Sequence, residues 1–276
     1  MLKYFFESGA LTVIKDRTFD LKAILESGQV FRYKICGRFY EVISGEKRAQ
    51  IEERGDSYII VSDDVEYFEK YFDFCRNYDI ILKKVQDKAL VSSATAFAPG
   101  IRILKQEPVE TIISFIISAN NNIARIKKII ENIAAGLGRD MGGYFAFPAL
   151  SALASADEDF YFQAGAGYRA PYIKRTAEAL LHTDIKALYE MPTEKAHKAL
   201  VALPGIGPKV ADCILLFAFG KTDVFPVDTW IKKVYREHFG DATAKKMRAA
   251  LIEKYGEYSG FVQQYLFYFK REMNKG

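Results

Sequence analysis

Lys209 and Asp228 are the side chains whose type and setting most readily do chemistry. Lys209 lies within Leu203-Pro204-Gly205-Ile206-Gly207-Pro208-Lys209-Val210-Ala211-Asp212-Cys213. Two glycines around one aliphatic residue predict a hairpin too tight for side chains, whose N–H groups approach a ligand closely. Pro208 suits the first turn of a helix, and residues 210–219 continue as an apolar-rich helix. A glycine hairpin that opens a helix is an anion site, because unpaired N–H groups and the positive dipole end face a phosphate. In that first turn the dipole and partial burial are expected to push the pKa of Lys209 down. A neutral amine is a nucleophile, and lysine forms Schiff bases with sugar and carbonyl carbons. Asp228 follows Gly220 and Pro226 and precedes an amphipathic segment, residues 230–235. It therefore stands at a helix start, as an N-cap or as a catalytic carboxylate.

Hairpin, lysine, Gly/Pro loop and aspartate, in that order, resemble the helix–hairpin–helix DNA glycosylase superfamily, in the branch with a catalytic lysine. The wording of residues 203–213 is similar to the 8-oxoguanine DNA glycosylases in particular. The resemblance runs from residue 20 to residue 270. It implies that Lys209 attacks C1′ of a deoxyribose, that Asp228 stabilises the charge on the sugar, and that Gly205 and Gly207 grip the DNA backbone.

Four further segments carry the resemblance. Ser27-Gly28-Gln29-Val30-Phe31-Arg32 is similar to a family segment whose glycine carbonyl accepts a bond from the lesion. Oxidised guanine has an N7–H donor where guanine has a lone pair, so one acceptor at Gly28 discriminates them. On its own residues the segment also fits a plain turn. Asn120-Asn121-Asn122-Ile123-Ala124-Arg125 implies that Asn120 fills the space of a flipped base and that Arg125 reads the cytosine opposite; simple turn chemistry is the other reading. Gly167-Tyr168-Arg169-Ala170 implies a wedge, Tyr168, beside a second cytosine reader, Arg169, although Tyr168 also suits a local core. In residues 258–267, Gln263 and Phe267 stand four apart and share a helical face. By resemblance they pair with the base edge and stack on the purine, opposite Cys213. Two positions depart from the family: Trp230 stands where eukaryotic members have a histidine, and Lys270 where they have an acid.

The elements around these residues divide the chain. Residues 10–62 read as strands, with Phe31, Tyr33 and Ile35 alternating with polar residues and turns at Gly37, Gly45 and Gly55. Those close turns predict an antiparallel meander. Residues 63–74 and 80–90 read as helices, and from residue 100 the pattern is helical to the end. Pro108 starts a helix that buries Ile112, Ile113, Ile116 and Ile117. The expected class is α+β, with an N-terminal antiparallel sheet domain, residues 1–100, packed on a mainly helical body, residues 101–276.

Composition sets outer limits. The 276 residues, half of them hydrophobic, suffice for a substantial core. Residues 1–100 carry 15 Lys/Arg against 16 Asp/Glu, and residues 101–276 carry 24 against 19, so the basic excess lies with the hairpin. Cys36, Cys75 and Cys213 are dispersed, which argues against disulfides and against the four-cysteine iron–sulfur cluster of some relatives. His182, His197 and His238 lack metal-site spacing. No cofactor or metal is expected. No apolar run has membrane-spanning length, so the expected setting is the reducing cytoplasm, on the nucleoid in a bacterium. The partner implied is double-stranded DNA containing 8-oxoguanine, bound by a monomer. Alternatives are a glycosylase of the same fold for another damaged base, and a hairpin DNA-binding module without catalysis.

Overall fold

The computed structural model describes residues 1–7, 9–86 and 89–274. Strands β1 (Tyr4–Glu7), β2 (Ala10–Ile14), β3 (Tyr33–Cys36), β4 (Phe39–Ser44), β5 (Lys47–Arg54) and β6 (Ser57–Ser62) form one antiparallel sheet among these residues, in the order β1-β2-β6-β5-β4-β3. Strands β3 to β6 are the expected meander, turning at Gly37, Gly45 and Gly55, each with positive φ. Two features differ from expectation. Residues Leu21–Glu26 form a helix, not a strand, because Asp20 caps it by accepting from the Ala23 N–H and its apolar face is buried. An edge strand, β1, precedes the expected start; its Phe5 and Phe6 are exposed, so no alternation betrays it. Helices span Tyr78–Gln86 and Ala89–Phe97, and residues 87–88 of the helix expected over 80–90 lie outside the described residues.

Two apolar cores result. One face of the sheet, with Leu11, Val13, Val42, Ile51 and Ile60, packs on Leu21, Ile24, Leu25, Phe68 and Phe72. The second core fills the helical body and includes Ala23 and Phe31, so the segment joining the first helix to β3 reaches into both. At its centre is helix Pro108–Ser118, whose Ile112, Ile113, Ile116 and Ile117 are buried as expected. Its Phe115 stacks on Phe217 at 5.5 Å between centroids. Polar clips join the layers: Glu110 accepts from the Gly45 N–H at 2.6 Å, and buried Arg102 donates to the carbonyls of Thr18, Phe72, Asp73 and Arg76. The bonds to the guanidinium offset part of the desolvation that burial imposes on it and hold the loops it joins. Among the described residues no helix is long and apolar enough to cross a membrane, and no three His, Cys, Asp or Glu side chains are grouped to hold a metal.

Candidate active site and nucleic-acid interface

Helix Thr193–Val201, the hairpin and helix Pro208–Phe219 (the hairpin helix) follow one another as the motif predicts. Gly205 has φ +75°, and a Cβ there would lie 2.6 Å from Cβ of Tyr172. The hairpin thus rests on helix Ala170–Leu180, to which Thr176 adds a hydrogen bond, donating to the Pro204 carbonyl at 2.6 Å. Gly207 is the N-cap, with no side-chain cap bond, and is exposed, with nothing within 4 Å of a Cβ placed on it, so the mouth of the helix is uncovered. Gly205→Ala is expected to cost about 1–3 kcal/mol of stability, from the left-handed backbone and the clash together. Urea denaturation measures it; unchanged stability would show that the hairpin is free to yield.

Below the hairpin, buried Asp212 receives a two-pronged bond from Arg248 at 2.8 and 2.9 Å, and Arg248 also pairs with Glu194 at 3.0 Å. Burial pushes the Asp212 carboxyl up, while Arg248 and His197 oppose it. This charged knot ties the hairpin helix to the helices on either side, Thr193–Val201 and Ala244–Tyr255.

Lys209 stands in the first turn of the hairpin helix, with Nζ 5.5 Å from the centroid of Phe115. Cys213 follows one turn later and is buried. The expected lowering of the Lys209 pKa is not found. Burial acts downward, but Cys213 and Asp228 together outweigh it, and the pKa rises above the ordinary lysine value. The amine is therefore an ammonium in the free protein, and losing a proton is part of any attack it makes. Burial in turn pushes the Cys213 thiol up to about 11, with Lys209 opposing it. Asp228 is the N-cap of helix Thr229–Phe239 and accepts from the Ile231 N–H at 2.8 Å. Burial raises its pKa, held back by that N–H and by Lys209. Cap and neighbour of the amine are one carboxylate, so the two sequence readings of Asp228 are compatible.

The three asparagines divide the work. Asn122 caps helix Ile123–Leu137, accepting from the Arg125 N–H at 2.9 Å, and Asn121 bonds back to the Ile117 carbonyl at 3.1 Å. Asn120 is exposed at φ +49°, and its side chain makes no hydrogen bond among the described residues. The loop at 165–169 meets it. Tyr168, 56% exposed, donates to the Ala119 carbonyl at 3.2 Å, and Arg125 donates to the Gly165 carbonyl at 3.2 Å. Arg169 lies beneath, only 3% exposed, and donates to the carbonyls of Ala119, Ala166 and Asn120, the last at 2.8 Å. Asn120, Arg125 and Tyr168 thus share one surface, with Arg169 stitching the two loops from inside.

A separate group gathers at the C-terminal helix, Ser259–Met273. Gly28, at φ +77°, faces Phe267: a Cβ there would lie 3.0 Å from Cε1 of the ring. Gln263 is buried, and its Oε1 has no partner among the described residues. The Gly28 backbone is held from both sides. Gln29, fully buried, bonds to Ser27, to the Arg102 carbonyl at 2.8 Å and to the Leu104 N–H at 2.8 Å, while Gln264 donates to the Ser27 carbonyl at 2.8 Å. Sequence reading missed these holders and also Arg271, one helical turn beyond Phe267; the four-residue spacing was the available signal.

Residues 113–257 match the HhH-GPD superfamily base excision DNA repair protein family, and residues 12–112 match the 8-oxoguanine DNA glycosylase N-terminal domain. An N-glycosylase/DNA lyase of Arabidopsis thaliana is 36% identical over 61% of this chain and 51% of its own length, so the chain spans about half of that relative. A probable N-glycosylase/DNA lyase of Methanothermobacter thermautotrophicus is 34% identical over 73% of each chain. The crystal structure of Clostridium acetobutylicum 8-oxoguanine glycosylase/lyase with double-stranded DNA containing cytosine opposite 8-oxoguanine superposes with TM-score 0.93, at 36% identity, over 99% of this chain and 98% of that one.

Proposed function

The chain belongs to the 8-oxoguanine DNA glycosylase branch of the HhH-GPD superfamily, and from that premise we propose that it flips 8-oxoguanine out of duplex DNA, excises it and cleaves the abasic site. The observation that carries this reading is the company of Lys209. A hairpin helix opens at an uncovered glycine N-cap, and the amine in its first turn feels the buried Cys213 and the capping carboxylate of Asp228.

In the reaction, Asp228 helps to orient and deprotonate Lys209. Nζ bonds to C1′ as the C1′–N9 bond breaks, and the base departs with a proton. Asp228 stabilises the positive charge that develops on the sugar. Opening of the C1′–O4′ bond gives a protonated imine; loss of a C2′ proton then expels the 3′ phosphate. The base occupies the pocket of Gly28, Cys213, Gln263 and Phe267. Gly205 and Gly207 present their N–H groups to the backbone phosphate. The enzyme acts as a monomer in the cytoplasm, on the nucleoid in a bacterial cell. Borohydride reduction in the presence of lesion duplex tests the reading: a covalent protein–DNA product is expected, and its absence under conditions of tight binding would leave only a binding module.

Asn120, Arg125 and Tyr168 face the strand opposite the lesion, with Arg169 beneath them. An orphaned cytosine offers O2 and N3 as acceptors, whereas adenine presents an amino donor at the corresponding edge. Arg125→Ala is expected to narrow the rate gap between lesion:C and lesion:A duplexes, mainly by slowing the cytosine substrate by about tenfold, the worth of one base-edge contact. Single-turnover rates opposite each of the four bases measure it, and an unchanged ratio would make Arg125 a backbone charge only.

A further inference from the structure

Arg271 has no part in the reaction as described, yet it occupies the same face as the residues that do. Gln263, Phe267 and Arg271 recur every four residues along the C-terminal helix. They form one stripe, with a polar side chain on each side of the ring. Both polar side chains carry a buried atom that has no hydrogen-bond partner among the described residues, Oε1 of Gln263 and Nη1 of Arg271. An unpaired buried polar atom is destabilising, so two on one stripe point to a shared ligand.

The rest of the Arg271 guanidinium is fixed. Nη2 donates to the Glu26 carbonyl, and Nε and Nη2 donate to Glu272 at 3.1 and 2.8 Å. So anchored, Nη1 sits against Gly28: a Cβ on Gly28 would lie 3.3 Å from Nη1. A donor thus stands beside Gly28, the residue assigned to the lesion N7–H, at the end of the stripe away from Gln263.

This placement fits one end of an oxidised purine. A base stacked on Phe267 with its Watson–Crick edge towards Gln263 turns its imidazole end towards Gly28 and Arg271. In 8-oxoguanine that end carries an N7–H donor next to a C8 carbonyl acceptor. Building on the function proposed above, we propose that Nη1 of Arg271 donates to O8 of the flipped base. Gly28 then reads the hydrogen that oxidation adds, and Arg271 reads the oxygen. Guanine lacks that oxygen and leaves Nη1 unpaired. The contact also bears on bond cleavage: negative charge arriving at N9 as the glycosidic bond breaks is shared with O8 through C8, where a guanidinium stabilises it.

The test compares wild type with Arg271→Met, which keeps the aliphatic stem and removes every donor, in three single-turnover assays. These are release of 8-oxoguanine, release of 8-thioguanine (which retains N7–H but offers sulfur, a weak acceptor), and strand cleavage at a preformed abasic site. Release of 8-oxoguanine is expected to fall at least about tenfold, as for loss of a charge-assisted base contact. Cleavage at the abasic site, which needs Lys209 but no base, should hold within about twofold, and the wild-type preference for 8-oxoguanine over 8-thioguanine should disappear. Equal losses in base release and abasic cleavage, or an unchanged preference, would overturn the proposal and leave Arg271 as a tie to Glu26. If Arg271→Met does not fold, Arg271→Gln, which can still donate to the Glu26 carbonyl, takes its place with the same criteria. Failure of the wild type to release 8-oxoguanine is a separate result, and it would overturn the reaction itself.

Discussion

Lys209→Gln is expected to abolish both base release and borohydride trapping, by at least about 10³-fold, while the protein still binds lesion duplex. Glutamine approaches lysine in length and helix propensity, so the first turn of the hairpin helix persists. What it lacks is an amine able to bond to C1′. Binding survives because the hairpin glycines and the 119–122 and 165–169 loops are untouched. Trapping with lesion duplex and a gel-shift titration of the same protein check the two halves. A covalent adduct formed by the variant would assign the nucleophile to another residue.

Asp228→Asn separates the two roles of one carboxylate. Asparagine caps helices about as well as aspartate, so the bond to the Ile231 N–H, 2.8 Å in the wild type, is kept. Stability should change by less than about 1 kcal/mol, since only the charge is removed. Excision should nevertheless fall by roughly 10²–10³-fold, the usual cost of removing one preorganised charge-stabilising group from a transition state. Asp228→Ala should lose that rate and about 1 kcal/mol of stability as well. Thermal unfolding and single-turnover excision on the same preparations measure both. A fully active Asp228→Asn would leave Asp228 as a cap alone.

The legible parts of this chain are those where local chemistry decides the outcome. Gly205, Gly207 and Pro208 impose a hairpin and a helix start whatever surrounds them, and the turns at Gly37, Gly45 and Gly55 follow from the same backbone freedom. Leu21–Glu26 was misread because six residues are too few to separate helical from strand periodicity, and its one clear signal was Asp20. The protonation of Lys209 was misjudged for a different reason. The dipole and burial are readable from position, but Cys213 and Asp228 act through space, and their net effect has the opposite sign. Arg169 is expected from sequence to reach the opposite cytosine, yet bonds to the distant carbonyls of Ala119 and Asn120 hold it buried. The orphaned Nη1 of Arg271 is equally a product of tertiary packing.

The holding of Gly28 bears on time as well as on selection. Its neighbours Ser27 and Gln29 are buried and bonded to Arg102, Leu104 and Gln264, so the Gly28 carbonyl has little freedom to turn away from what is put before it. A repair enzyme meets undamaged guanine far more often than damaged, and each encounter delays the search. A flexible acceptor would swing aside from the N7 lone pair and let the wrong base settle. On the function proposed, a fixed one would keep two lone pairs opposed, so that guanine would leave sooner and discrimination would show up as a short dwell. Loosening Gln29 would therefore slow the scan along intact DNA before it impaired excision at a lesion already found.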